Sequence, residues 1–188
     1  MSKFDMIKFK ITGTRPLMCS NPASMSDDGK GESKEKKIYV PEEEAEIRVY
    51  RTEDGKHFYF PSAGFRKCLL QHLSTKKMGK SSAATHYKPN IFTVEEECIL
   101  IQPKTEKPLK DYIIDSRRVV IGKGKAIKRH RPKFMEWGCF IHFSYNSEAL
   151  SPKIIEKELN EAGERIGVGE FRISMGGHFG AFTAKLCK

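Results

Sequence analysis

Hydrophobic and charged residues alternate at the start of the chain. Phe4 to Thr12 is expected to be a first strand, with Phe4, Met6, Phe9 and Ile11 supplying apolar faces and Lys8 and Lys10 between them. The alternation stops over residues 14–37. Arg15-Pro16, Asn21-Pro22 and Asp27-Asp28-Gly29 precede a Lys/Glu/Ser/Gly tail. A loop of that length has little to bury and is usually functional or disordered. Glu42 to Arg51 fits a short helix begun at Pro41 or a strand. Lys56 to Phe60 predicts a short aromatic strand ending at Pro61, with Ser62 as an N-cap. Phe65, Cys68, Leu69, His72 and Leu73 then form the stripe of an amphipathic helix, with Arg66, Lys67 and Lys76 facing outward.

Residues 74–90 read as polar, basic and irregular. Cys98 to Gln102 and Asp111 to Ile114 are candidate strands. Val119-Val120-Ile121 and Ala126-Ile127 also have strand character, joined by the turn Gly122-Lys123-Gly124-Lys125. The clearest late strand is Trp137 to Tyr145, where Trp137, Cys139, Ile141, Phe143 and Tyr145 share a face. Ser151 caps a second helix and Pro152 takes its first position. Ile154, Ile155, Leu159, Ala162 and Ile166 mark its apolar side, Gly167 ends it, and Phe179 to Leu186 is a last strand. This order predicts an α+β fold: a ferredoxin-like, RRM-like antiparallel sheet with two amphipathic helices and extended loop insertions. A single domain over 1–188 is expected, with a long flexible loop at 14–37 and basic loop and hairpin insertions at 74–135.

The 188 residues are 38% hydrophobic and 31% charged, too apolar for a disordered chain and too polar for a membrane protein. The N-terminal alternation lacks the apolar run of a secretory leader. Cys19, Cys68, Cys98, Cys139 and Cys187 are scattered, with no CxxC pair, so buried free thiols in a reducing cytoplasm are expected rather than a zinc site or disulfides. No metal or cofactor is expected. The net charge of +10 is concentrated: residues 55–94 and 116–135 contain no acid and together carry +15, against −5 for the remainder. An anionic partner fits such segments, although charge runs also form solvated faces. In the second segment a glycine-lysine turn adjoins Arg129-His130-Arg131, a pattern suited to tracking phosphates or to keeping an edge strand soluble.

The sixteen residues Gly167 to Phe182, GVGEFRISMGGHFGAF, lie between a helix and a strand. A dinucleotide-binding glycine loop follows a strand and opens a helix, and a Walker loop needs Gly-Lys-Ser/Thr, so neither reading holds. Helix-capping and turn glycines are the plain alternative. A helix followed by G-x-G-x-x-R, a second glycine cluster and an aromatic strand resembles the C-terminal glycine-rich loop of the CRISPR-associated RAMP superfamily. Tyr59 to Leu70, YFPSAGFRKCLL, is similar to the RAMP segment in which a strand ends at proline and a helix opens with arginine and leucine. The two pieces cover about 28 of the 188 residues, and Gly176-Gly177-His178-Phe179 departs from the usual G-x-G form. The compact length fits a stand-alone form of the kind phages encode.

The resemblance implies an RRM-like fold that binds single-stranded RNA, often as a filament of identical subunits. It carries over Arg66, Lys67, Gly167, Gly169, Arg172, Gly176 and Gly177 as binding residues, with loop N–H groups open to the phosphate backbone. The basic segments add Lys76, Lys77, Arg117, Arg118, Lys123, Lys125, Lys128, Arg129, His130 and Arg131. Some RAMP proteins cleave RNA without metal, using a histidine or an acid in the loop after the first strand. His130, Asp27 and Asp28 are the candidates here, against phosphate contact for the first and a turn for the others. The runs Glu42 to Glu44 and Glu95 to Glu97 read as solvated or as facing a neighbouring subunit. The leading expectation is a non-catalytic, self-assembling binder of single-stranded RNA or DNA, RNA preferred, in the cytoplasm. A metal-independent endoribonuclease and a structural or assembly protein without nucleic acid are the alternatives.

Overall fold

The computed structural model describes residues 3–22, 40–121 and 125–187. Asp27, Asp28 and most of the expected 14–37 loop lie outside them, as do Gly122, Lys123, Gly124 and the side chain of Lys125. In chain order the elements are β1 (Phe4–Gly13), β2 (Leu17–Met18), α1 (Pro41–Arg48), β3 (Tyr59–Pro61), α2 (Ser62–Ser74), β4 (Lys77–Met78), β5 (Ser81–Ser82), α3 (Ala83–Tyr87), β6 (Ile91–Thr93), β7 (Glu97–Ile99), β8 (Ile113–Ile121), β9 (Lys125–Phe134), β10 (Gly138–Asn146), α4 (Pro152–Arg165) and β11 (Phe182–Leu186). A short 3-10 turn, Ile173–Met175, precedes β11.

The central sheet has the order β11-β1-β10-β6, and all its neighbours are antiparallel. With α2 between β1 and β6, and α4 between β10 and β11, this is the split β-α-β arrangement of the ferredoxin-like fold. In β1 the inward face is Ile7, Phe9 and Ile11, while Phe4 and Met6 lie outward at 43% and 71% exposure. The apolar side of β1 is therefore one residue out of phase with its first two hydrophobic residues. Pairing enforces the register: Ile7, Phe9 and Ile11 sit opposite Phe143, Ile141 and Cys139, all buried.

The stripe of α2 is buried as expected, and Ile155, Leu159 and Ala162 of α4 complete the layer over the sheet. Ile154 faces out instead. Phe65 is fully buried, with the rings of Phe60 and Phe182 each 5.4 Å away. Glycine within a helix is costly, and Gly163, in the last turn of α4, has a packing reason. A Cβ there would lie 2.2 Å from the Phe182 carbonyl oxygen, so only glycine lets α4 approach β11 this closely. Ser62 is the first residue of α2 rather than its cap, and its hydroxyl donates to the Glu95 carbonyl.

Residues 74–90 are more ordered than their polarity suggested. They form the β4–β5 turn and α3, and Ala83, Ala84 and Tyr87 are buried. Of the two structures open to residues 42–51, the helix forms. The 116–135 segment becomes the long β8–β9 hairpin, extended by β2. Four thiols are buried and Cys187 is partly exposed, with no disulfide among the described residues. Burial pushes the Cys68 thiol up to about 12, out of the nucleophilic range. No helix among the described residues is long and apolar enough to cross a membrane.

Candidate nucleic-acid interface

The two segments far apart in sequence, 59–70 and 167–182, meet in space. A small pocket of about 70 Å³ is lined by Gly64, Lys67, Cys68 and Gln71 of α2 and by Gly167, Val168, Gly169 and Arg172 of the glycine-rich loop. A larger open groove of about 680 Å³ runs along the other side of α2, where Arg66, Lys67, Gln71, Lys88 and Phe92 contribute to its lining and, among the described residues, no acidic side chain does. Lys67 and Gln71, one helical turn apart, line both. The surface over α2 is therefore basic, with one exposed aromatic ring at its edge.

The glycine-rich loop is built differently from an open cradle. Its amides are used within the chain: Gly167 N–H donates to Ala162, Gly176 to Ile173, Gly177 to Arg172 and Gly180 to Pro16. This corrects the expectation of loop N–H groups open to phosphate at Gly167, Gly176 and Gly177. The glycines are needed for close packing. At Gly180 φ is +68°, and a Cβ would lie 1.7 Å from the Val168 carbonyl oxygen. Arg172 donates to the Ser174 hydroxyl at 3.1 Å and to the Gly169 carbonyl at 3.4 Å, which holds its guanidinium at the pocket.

The root of the hairpin joins this loop through aromatic rings. The Arg117 guanidinium lies 4.7 Å from the Phe179 ring centroid, and that of Arg131 lies 5.2 Å from Phe171. Phe171 has φ +48°, a left-handed conformation costing a bulky residue about 1–3 kcal/mol. The stacked arginines hold the ring where that conformation puts it.

Several expected surface contacts turn inward. His130 is 4% exposed, its Nδ1 is 2.6 Å from the Ser116 hydroxyl, and its backbone N–H donates to Glu44 at 3.0 Å. A buried imidazole cannot reach a strand lying on the surface, so its candidacy as an acid-base group is not supported. Arg129 pairs with Glu44 at 3.1 Å, and its side chain is 13% exposed. Burial lowers the pKa of Arg131 below its ordinary value, partly offset by Glu170 at 3.7 Å. Arg129 and Arg131 thus belong largely to the packing between β9, α1 and the glycine loop. Lys76 is part-exposed, but its ammonium is already engaged: it donates to Glu158 at 2.6 Å and Glu161 at 2.9 Å. Arg66 donates to the Ile91 and Lys88 carbonyls, both at 2.8 Å, clamping α2 to the β6 edge.

Lys67, Lys77, Arg118 and Lys128 remain on the surface. Arg118 and Lys128 are directly opposite each other in the hairpin, and neither has an acidic partner among the described residues. Like charges facing across strands are unfavourable, so this pair creates a site of positive potential at a cost in stability. Arg117, one residue earlier, is neutralised by Asp115. Burial would raise the Asp115 pKa, but hydrogen bonds from Arg117 and Lys133 hold it below the usual carboxylate range. Sequence reading missed Lys88 and Phe92. The signal for Phe92 was its place beside buried Ile91 in a strand, where period two turns one of each neighbouring pair outward.

No family model matches the sequence, and no curated protein matches it. In structure the chain is similar to a chain of the type III-B Cmr-beta complex bound to cognate target RNA, with a TM-score of 0.57 and 10% identity. The match covers 99% of this chain and 61% of that one. The likeness establishes a shared α+β fold.

Proposed function

We propose that the chain is a non-catalytic binder of single-stranded RNA, built on a RAMP-like core and assembling with further copies along the strand. The observation that carries this reading is the meeting of the first turns of α2 with the glycine-rich loop, where Lys67 and Arg172 line one pocket beside a groove to which Arg66, Lys67 and Lys88 contribute. A structurally similar chain belongs to a complex bound to target RNA, which supports RNA as the partner class. Lys67 supplies a mobile cation for phosphate, Phe92 a face on which a base can stack, and Arg118 and Lys128 a second basic contact. Burial of His130 weakens the case for one of the three acid-base candidates.

Fluorescence anisotropy with a labelled single-stranded RNA and its duplex, both in EDTA, tests the reading. Binding is expected for the single strand at least tenfold tighter than for the duplex, with the RNA recovered intact. Preferential duplex binding or no binding contradicts the proposal. Cleavage in EDTA would instead establish the endoribonuclease.

A further inference from the structure

The opposite end of α2 carries a second cluster, separate from the surface described above. His72 lies on the buried stripe of α2 with 2% side-chain exposure, and its Nε2 has no hydrogen-bond partner among the described residues. That nitrogen points toward α4, at 3.2 Å from Glu158 Oε2 and 3.4 Å from Glu161 Oε2. The two glutamates are three positions apart on one helix, so their carboxylates project to the same side. Lys76 sits one turn after His72, and its ammonium touches the same two oxygens at 2.6 and 2.9 Å.

These separations are those of ligands around a small cation. With metal–ligand bonds of about 2.1 Å, the edge of a tetrahedron is roughly 3.4 Å. An imidazole nitrogen and two carboxylate oxygens suit zinc and similar divalent ions. We propose that His72 Nε2, Glu158 and Glu161 form a site for a zinc-class divalent cation, at which the Lys76 ammonium is the built-in competitor. The neutral imidazole would carry its proton on Nδ1, leaving Nε2 as the ligand. Three protein ligands leave a fourth position for water. The Lys76 side chain is 32% exposed and Glu161 29%, so the lysine has a path into solvent when a metal ion enters. A doubly charged ion would then replace a single charge between the same carboxylates. This proposal stands apart from RNA binding, because neither the pocket nor the groove includes any of the four residues.

Cobalt(II) titration of the whole chain, read by its visible d–d absorption, tests the site. The wild type is expected to give a band saturating at about one ion per chain, lost on adding zinc. Lys76→Met should bind at least tenfold tighter, because the competitor is removed. Glu161→Gln, at the partly exposed rim, should lose about 100-fold or more while its circular dichroism is unchanged. No band in the wild type, or a band confined to Lys76→Met, would show that the lysine alone holds the site. A band unaltered by Glu161→Gln would place the ion elsewhere. Either result overturns the proposal.

Discussion

Glu44→Leu is expected to lower the unfolding free energy by about 3–5 kcal/mol, the range for removing one partner from a buried ion pair. Glu44 is 6% exposed on α1. One of its oxygens accepts from Arg48 at 3.3 Å and Arg129 at 3.1 Å, while the other accepts from the His130 backbone N–H at 3.0 Å. The leucine fills the volume but removes one carboxylate from the partners of two largely buried guanidiniums and takes the acceptor from a strand N–H. Arg48 keeps its bond to Ser20 at 3.1 Å, which moderates the loss. Glu44→Gln retains acceptor capacity without the charge and should fall between the two. Urea unfolding followed by circular dichroism measures both. A loss below about 1 kcal/mol for Glu44→Leu, the range of exposed ion pairs, would mean that this carboxylate does not lock the hairpin to α1.

The second large effect concerns RNA. Lys67→Glu, Arg118→Glu and Lys128→Glu together are expected to weaken single-strand binding by 100-fold or more. If each cation makes one phosphate contact, losing three costs roughly 3–5 kcal/mol. The fold should survive, because all three side chains are exposed. Arg118 and Lys128 face each other, so reversing both exchanges one like-charge pair for another and leaves the balance of the hairpin nearly unchanged. Reversing Arg129 or Arg131 would not be a clean test, since both are packed against other elements. Affinity within threefold of the wild type, with an unchanged melting curve, would remove Lys67 and the hairpin from the interface.

The sequence made the scaffold legible where periodicity was strong. The stripe Phe65 to Leu73 and the alternation Cys139 to Tyr145 are each buried as their spacing requires, and the order of elements leads to the observed sheet topology. It was less informative where polar residues are used inside the fold. Glu44 sits in an acidic run that resembles a solvated face, yet it is drawn inward by arginines from α1 and from β9, the latter 85 positions away. Glu95 likewise turns in to accept the His142 backbone N–H at 2.7 Å. Long-range pairing of this kind leaves no local pattern. Lys76 was legible as a cation but not as the partner of Glu158 and Glu161, for the same reason. At the candidate interface, Lys67, Arg118 and Lys128 could be read directly as basic residues, whereas Lys88 could not be singled out. Which of them remain available to a ligand depended on acids and carbonyls supplied by distant segments.

In the proposed function the chain holds a single strand mainly through its phosphates. Binding of a single-stranded RNA measured by anisotropy over a series of salt concentrations tests this most directly. With about six phosphate contacts, log affinity against log salt should fall with a slope of about −4. A flat response would mean that phosphate contacts do not carry the binding.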